Sequence, residues 1–402
     1  MSRLPRAIPV IMYHGVGNDY PGWVWNHLVI PLDVFEGQMR ILKERGWTTI
    51  GLEQLRAHMA TGASVPERSI VLTFDDGYRD NYVHAFPILK KYGHRAAIWM
   101  SADFVDPRAD LPPTLDDVWL GRVGMEALDA RGYLSWAEMR RMIESGLVEI
   151  QSHAKTHTWY FSGPGIVDFH RPDGMDGYRA PIWLAWNAFP AEKYKSMHER
   201  FGARIPYGTP IYEHGKSFAV RRYFEDPALA RRLAAFVGEN GGAEFFSRPG
   251  WREKLDAVAR DYGPRSDRIE TEDEYRSRVM SELVESRRTI ETALGTPVRF
   301  LCWPGGAVDD AVRAIAEEAG YLATTSLFGD PVRKNVFGED PRAINRIGCS
   351  SPWIWRDAHI KHTSPRFFLA SFDLFEGKRF SIWRYRGYKL LYALRYYVTG
   401  RT

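Results

Sequence analysis

The segment from Ser69 to Asp80 constrains the fold of this chain more strongly than any other. It opens with a short apolar run, Ile70 to Phe74, which stops abruptly at two adjacent carboxylates and a glycine. Such a run is typical of a strand buried on both faces in a parallel sheet. The carboxyl ends of these strands face the ligand crevice, so we expect Asp75 and Asp76 to lie there. The alternative is a hairpin turn, because Asp-Gly between apolar runs also favours a turn.

A second apolar run is followed by a pair of histidines. Leu147 to Gln151 is predicted to form a strand, and His153 and His157 come soon after it. Residues at this spacing project in the same direction on a helical turn, so the two imidazoles can converge on one cation. Because this pair and the acidic pair both follow buried strands, both should emerge on the same face of the fold. One carboxylate oxygen and two imidazole nitrogens leave an open coordination position, as a catalytic zinc site requires.

The segment Thr73 to Gly77, followed by the histidine pair, resembles the first two motifs of the polysaccharide deacetylases, which are carbohydrate esterases with a NodB-like domain. The resemblance implies a distorted (β/α) barrel and metal-dependent hydrolysis of an N-acetyl group on a sugar of a polysaccharide or lipid-linked glycan. It implies that Asp75 is the catalytic base and that Asp76, His153 and His157 are the metal ligands. Such a donor set suits Zn²⁺, and also Co²⁺, Mn²⁺, Fe²⁺ or Ni²⁺.

A further candidate lies near the N-terminus, where a strand is predicted from Ala7 to Tyr13 and ends at His14. If this is the first strand of the barrel, the imidazole points into the same rim as Asp75; the alternative is a hydrogen-bonded core histidine. A subgroup of the family that looks circularly permuted opens with a Met-Tyr-His segment, and Met12 to His14 resembles it. The resemblance implies that His14 is the general acid.

The segment 298–306 resembles the third motif of the family but departs from it. Many members carry an arginine ahead of two prolines, which orients the base, whereas this chain has Cys302, Trp303 and Pro304. We therefore expect Arg346, at the end of the predicted strand Ala343 to Ile347, to supply the cation beside Asp75.

Other groups are expected close to the reacting atoms. The Pro-Gly-Gly turn can present a backbone N–H near Gly305 to a developing oxyanion, and Trp303 precedes this turn. His359 and His362 lie beyond the barrel pattern and are reserve candidates for the acid.

Strands and helices alternate along the chain, which predicts an α/β fold with a parallel sheet closed as a barrel. We expect this barrel to occupy residues 1–365, with insertions at about 104–133 and 158–266, and to be followed by a basic, aromatic C-terminal tail at 366–402. The larger insertion enters directly after the histidines and should therefore lie beside the catalytic rim. Its aromatic residues suit stacking on sugar faces or, alternatively, an ordinary subdomain core.

Charge is distributed unevenly, although the net charge is only +4. Residues 366–402 contain eight basic and two acidic residues, a net charge of +6, and the rest of the chain sums to about −2. Within this tail, Ser381 to Val398 is predicted to form an amphipathic helix that either lies on an anionic membrane surface or packs against the barrel. Since basic charge is not spread over the fold and no nucleic-acid motif is recognised, no nucleic-acid partner is expected.

The chain contains only two cysteines, Cys302 and Cys349, so no disulfide framework is expected. No signal peptide is recognised, and no window reaches the ~18 apolar residues of a membrane span. The expected location is therefore cytoplasmic, including a peripheral position at the inner face of the cytoplasmic membrane.

Two alternatives compete with N-deacetylation. The same site could remove a formyl group or hydrolyse an O-acetyl ester, which acetate and formate assays distinguish. A catalytically silent glycan-binding protein is suggested by the altered third motif, but the intact set Asp75, Asp76, His153 and His157 favours an enzyme.

Overall fold

The computed structural model of the chain describes residues 7–172, 182–198, 200–306, 308–326, 335–348, 353–355, 358–360, 364–375, 378 and 380–399. Its strands are β1 Val10–Tyr13, β2 Gly15–Val16, β3 Val29–Ile30, β4 Thr48–Thr49, β5 Ser69–Phe74, β6 Ala96–Met100, β7 Val148–Ser152, β8 Trp159–Phe169, β9 Pro210–Lys216, β10 Tyr223–Phe224, β11 Arg268–Ile269, β12 Phe300–Leu301, β13 Ala323–Thr325, β14 Ala343–Ile344, β15 Ile347–Gly348, β16 Trp353–Trp355 and β17 Ala358–Ile360. Its helices are α1 Leu32–Glu44, α2 Leu52–Thr61, α3 Phe86–Tyr92, α4 Leu115–Trp119, α5 Trp136–Glu144, α6 Ile182–Ala188, α7 Pro227–Glu239, α8 Trp251–Arg260, α9 Glu272–Leu294, α10 Asp310–Glu318, α11 Pro365–Phe375 and α12 Ser381–Thr399.

The main sheet contains nine strands in the order β14-β13-β12-β7-β6-β5-β1-β15, with β4 pairing additionally with β5. All of these pairs are parallel. Every residue of β5 is buried, as expected for a strand with both faces covered. Because β5 pairs in parallel with its neighbours, Asp75 and Asp76 are not part of a hairpin turn.

The sheet curls until its two edges meet in one short segment. β14 pairs with β13 at one edge and β15 pairs with β1 at the other, yet only Asn345 and Arg346 separate them in the chain. This confirms the distorted (β/α) barrel. The predicted continuous strand Ala343 to Ile347 is wrong, because its two ends form hydrogen bonds with opposite edges. Asn335 stabilises the break by accepting from the Asn345 N–H at 2.9 Å and donating to the Asn345 carbonyl at 2.8 Å.

Helix α5 begins with a capping box at Ser135. Its hydroxyl accepts from the Glu138 N–H at 3.2 Å, and its own N–H donates to the Glu138 carboxylate at 2.6 Å. The helical segment after the acidic pair begins with a π-helical turn, Asn81–Ala85, and becomes α-helical at α3. Pro87 explains this widened turn, since its ring has no N–H and clashes with the carbonyl one turn earlier.

The larger insertion contains a long antiparallel strand pair. β8 pairs with β9 from Trp159 opposite Lys216 to Phe169 opposite Pro210, and α6 lies in the connection between the two strands. α7 and α8 form a separate apolar cluster at the far end of this strand pair, with the members Phe169, Leu229, Leu233, Val237, Phe245, Phe246, Leu255 and Ala259. The strand pair therefore starts directly beside the histidine motif and ends in a small core of its own.

Two helices end the described chain. α11 belongs to the main core through Phe368 and Phe372, and the Phe372 ring lies 5.4 Å from that of Trp47. α12 packs on α11, where Tyr385, Tyr388 and Tyr392 surround Phe367. Of the helices that the structure describes, none combines the length and apolar character needed to cross a membrane.

Candidate active site

Strand register places His14 beside Asp75. Tyr13 is paired with Phe74 in the parallel β1 and β5 ladder, so the next residue of each strand leaves the sheet at the same level. The Asp75 N–H extends this ladder by donating to the Tyr13 carbonyl at 2.9 Å. His14 Nε2 lies 3.8 Å from Asp75 Oδ2. Both side chains therefore enter one cavity at the carboxyl ends of the strands.

The backbone turns sharply after Asp75. Asp76 has a φ of 69° and Gly77 a φ of 67°, so two successive residues adopt the left-handed conformation. An aspartate tolerates this region better than most residues, whereas a Cβ at Gly77 would lie 2.1 Å from Met100 Sδ. The turn directs the two carboxylates to different partners, and such backbone strain is typical of functional sites.

Asp76, His153 and His157 form a candidate metal site. Asp76 Oδ1 lies 3.3 Å from His153 Nε2 and 3.2 Å from His157 Nε2. Ligand atoms about 2.1 Å from a tetrahedral metal are roughly 3.4 Å apart, so this spacing fits one small divalent cation. His153 Nδ1 donates to the Cys302 carbonyl at 2.8 Å, which leaves the Nε2 lone pair for a metal. The residues present therefore fit the group that the resemblance implies.

A second group of buried donors, Asp75, His153 and Cys302, also lies within a metal's reach. The Asp75 carboxylate of this group is already paired with the guanidinium of Arg346. The Cys302 thiol lies between them, 3.6 Å from Asp75 Oδ2 and 3.0 Å from Arg346 Nη2. A cation there would compete with the positive charge of Arg346, so the Asp76 set is the better metal site.

The two histidines do not lie on a helical turn, and that prediction is wrong. The chain from His153 to His157 is an irregular loop, with left-handed φ values of 60° at Ala154 and 42° at His157. The rings nevertheless converge, with centroids 4.9 Å apart. Convergence comes from the shape of the loop and not from helical periodicity.

This loop is held in place by contacts to Thr156 from two directions. The Thr156 N–H and hydroxyl donate to Glu282 of α9 at 3.1 and 2.7 Å. Lys193, which lies in the segment after α6 and is almost fully buried, donates to the Thr156 carbonyl at 2.8 Å and to Asp103 at 3.1 Å. A buried lysine is rare and costly unless it is paired, so its position here indicates a specific structural role. Nothing in the local sequence around Lys193 marks it for this role.

Arg346 lies opposite Asp75 and forms two hydrogen bonds with it, from Nη1 to Oδ1 at 2.6 Å and from Nη2 to Oδ2 at 3.0 Å. Burial raises the pKa of Asp75, but the positive charge of Arg346, followed by those of His14 and His153, outweighs burial and holds the pKa below its usual value. The carboxylate is therefore ionised and fixed in orientation, as a general base requires.

At His14, burial has a larger effect on the pKa than the neighbouring charges. Burial lowers its pKa, and this effect outweighs the negative charges of Asp75 and Asp76, which raise it. Its Nδ1 is buried and has no hydrogen-bond partner among the residues that the structure describes. The side chain of His359 and the whole of His362, the reserve candidates for the acid, lie outside the described residues, as does Cys349.

The site opens into a cavity of about 440 Å³. Its walls are largely aromatic, with the members Trp25, Tyr78, Phe104, Tyr133, Trp159, Trp186 and Trp303. Gly305 and Lys216 lie at one side, where the Lys216 amine contacts the Gly305 carbonyl. The Trp303 N–H donates to the Thr325 hydroxyl at 3.2 Å, so that N–H is already engaged. Trp159, Trp186 and Lys216 bring the larger predicted insertion to the edge of the catalytic cavity.

A family model described as polysaccharide deacetylase matches residues 62–173 and 266–324. YxkH of Bacillus subtilis (strain 168), which carries a polysaccharide deacetylase name, is 28% identical over 153 residues, or 38% of this chain and 44% of that protein. The poly-beta-1,6-N-acetyl-D-glucosamine N-deacetylase of Escherichia coli (strain K12) is 33% identical over 123 residues, or 30% of this chain and 16% of that protein. The matches thus span less than half of either relative.

Two solved structures share the fold. The de-N-acetylase from Aggregatibacter actinomycetemcomitans has a TM-score of 0.51 at 18% identity, covering 87% of this chain and 97% of that one. The BpsB deacetylase domain from Bordetella bronchiseptica has a TM-score of 0.50 at 19% identity, covering 86% and 97%. The match to the family model and the motifs within it assign residues 62–173 and 266–324 to the polysaccharide deacetylase family.

Proposed function

We propose that this protein hydrolyses the N-acetyl group of an amino sugar within a glycan or glycolipid, using a divalent cation. One observation carries the proposal: an oriented, ionised Asp75 and a second buried histidine, His14, flank a His₂Asp donor set in one aromatic cavity. Amide hydrolysis needs a base for water, an acid for the amine and stabilisation of an oxyanion, and this arrangement offers a group for each.

In this mechanism Asp76, His153 and His157 would hold the cation. When bound, a divalent cation polarises the acetyl carbonyl and lowers the pKa of the attacking water. Asp75 accepts the proton of that water, and Arg346 keeps the carboxylate ionised and correctly turned before the reaction. The resulting negative charge on the former carbonyl oxygen faces the turn at Gly305, whose backbone we infer to assist in binding it.

His14 is proposed to protonate the leaving nitrogen. An amine is a poor leaving group as an anion, so bond cleavage requires a proton at that nitrogen. Burial disfavours the imidazolium, while the charges of Asp75 and Asp76 favour it. His14 must therefore carry its proton before Asp75 is neutralised, while the charges of Asp75 and Asp76 both favour the imidazolium.

Carbohydrate is the substrate class that the cavity suits best. Aromatic faces stack on the apolar faces of sugar rings, and Trp25, Trp159 and Trp186 line the cavity. One curated relative is named for N-deacetylation of poly-beta-1,6-N-acetyl-D-glucosamine, so oligosaccharides of that type are the first substrates to test. We further infer that the residues contributed by the larger insertion select among glycans.

The test is release of acetate from N-acetylglucosamine oligosaccharides by protein reconstituted with Zn²⁺, Co²⁺, Mn²⁺, Fe²⁺ or Ni²⁺ in turn. Asp75→Asn should retain the metal and lose most turnover, because an amide cannot accept the proton. His157→Ala should lose stoichiometric metal, whereas His58→Ala, a change in α2, should retain both metal and activity. Formate release without acetate, or full turnover by Asp75→Asn, would contradict the proposal.

A further inference from the structure

Helix α12 buries one face against α11 and leaves the opposite face in solvent. Its inward side chains Tyr385, Tyr388 and Tyr392 lie 5.0 to 5.8 Å from the ring of Phe367. The opposite face is apolar and exposed: Trp383 68%, Leu390 61%, Leu391 62%, Leu394 52% and Val398 84%. At about 100° per residue these five side chains fall on one side of the helix, and we call them the outer stripe. A contiguous apolar surface of this kind indicates a binding face.

Basic residues border the outer stripe on both sides. Helical periodicity places Arg386 and Lys389 along one border and Arg384 and Arg395 along the other, and α12 contains no acidic residue. Arg384 also donates to Asp373 of α11 at 3.0 Å, which helps to fix α12 on its neighbour. An apolar stripe between two cationic borders is the pattern of a helix lying in the plane of an anionic membrane surface.

We propose that α12 is a peripheral membrane anchor, which inserts the outer stripe among the acyl chains while its arginines and lysine contact anionic lipid headgroups. A second copy of the chain is a poorer occupant, because two outer stripes face to face would bring their cationic borders together. Among the described residues, α11 packs against the tyrosine face of α12, and the outer stripe stays exposed.

The anchor predicts where the enzyme meets its substrate. α11 and α12 are attached to the barrel through the contacts of Phe368 and Phe372 with the main core, so membrane binding holds the whole catalytic domain at the surface. A glycan carried on a lipid would then be presented at high local concentration. Binding itself is measured without substrate, so its outcome is independent of the proposed deacetylation.

The test is co-sedimentation of the full chain with phosphatidylcholine vesicles, prepared with and without phosphatidylglycerol. We expect binding only to the anionic vesicles, and weakening as salt is raised. Arg386→Glu should weaken binding by roughly fivefold or more, since each basic residue contributes measurably at an anionic surface. Leu390→Glu should weaken it by about tenfold or more, through lost burial.

Matched controls come from elsewhere in the chain. Leu120→Glu is the control for Leu390→Glu, because Leu120 follows α4 and is 64% exposed. Arg260→Glu is the control for Arg386→Glu, because Arg260 is also exposed. Neither control substitution should affect vesicle binding. Equal binding to neutral and anionic vesicles, absence of binding, or equal loss in Leu120→Glu and Leu390→Glu would overturn the proposal. A dimer in light scattering that Leu390→Glu dissociates would also overturn it, because a second copy would then cover the stripe.

Discussion

The guanidinium of Arg346 and the carboxylate of Asp75 form a bidentate pair, with distances of 2.6 and 3.0 Å, although 271 positions separate the two residues. Arg346 lies in the two-residue segment where one edge of the sheet passes to the other. The segment that closes the barrel therefore also orients the candidate base. Two parallel hydrogen bonds from the planar guanidinium fix the plane of the carboxylate, and the positive charge keeps it ionised.

Arg346→Lys should lower kcat by roughly 10- to 100-fold with a smaller effect on KM. An ammonium group retains the charge but cannot form two parallel hydrogen bonds, so Asp75 loses its fixed orientation. Steady-state kinetics and elemental analysis of metal content measure the two effects separately. Arg342→Lys is the control, since Arg342 is exposed and pairs with Asp340 outside the cavity. If Arg346→Lys retains parent kcat, the pair is structural only.

His14→Ala should reduce turnover of an amide substrate by ~10²-fold or more, because the leaving amine must gain a proton. An activated ester, whose leaving group departs as an anion, should lose much less. The comparison of the two substrates is the measurement, and thermal unfolding of the variant serves as its control for folding. Equal losses on both substrates would assign His14 a structural role.

Lys193→Met should weaken metal binding by about 10- to 100-fold, the usual effect of removing a group that orients a ligand. Without the ammonium, the carbonyl of Thr156 loses a buried donor and the loop from His153 to His157 is less constrained. Competition with a chelator measures the affinity without reference to activity. Lys195→Met, a neighbouring lysine that pairs with Glu192, should leave metal affinity unchanged. Parent affinity in Lys193→Met would show that the loop holds its shape without this contact.

Asp80 should make the protein less stable as pH rises. Burial raises its pKa from 3.8 to about 8, although it accepts hydrogen bonds from the Tyr20 hydroxyl and Asn81. Between these two values the folded state retains a proton that the unfolded state has released. The free energy of unfolding therefore falls with pH in this window, by up to ~1.4 kcal/mol per pH unit, and the stabilisation present at acid pH is lost by about pH 8.

Asp80→Asn removes the titrating group. The unfolding free energy of this variant, relative to that of the parent, should therefore increase as pH rises towards about 8. Denaturant unfolding at several pH values measures the difference. Asp261→Asn, a change at an exposed aspartate after α8, should give a curve parallel to the parent. Parallel curves for Asp80→Asn as well would mean that Asp80 is ionised in the folded protein.

Local sequence was sufficient for the parts of this protein that depend on short-range patterning. The apolar run that became β5, the alternation of strands with helices and the capping box at Ser135 all follow from side-chain periodicity and backbone chemistry. The acidic motif and the histidine pair were sufficient to identify the family. These features reside in contiguous segments, so they can be recognised without knowing what packs against them.

Tertiary structure decided what depends on distant segments. The sequence predicted Arg346 as the cation beside Asp75, but only the closing of the sheet through β14 and β15 determines which atoms it presents to that carboxylate. The irregular histidine loop and its buried support by Lys193 depend on α9 and on a segment after α6, which no local pattern connects. The amphipathic pattern of α12 likewise predicted a helix with two faces, and its packing on α11 determined that the tyrosine face is covered and the outer stripe is exposed. Burial depends on what packs against a residue in the assembled fold. The same apolar residue can therefore lie in a core or at the surface, and its own segment of sequence does not determine which.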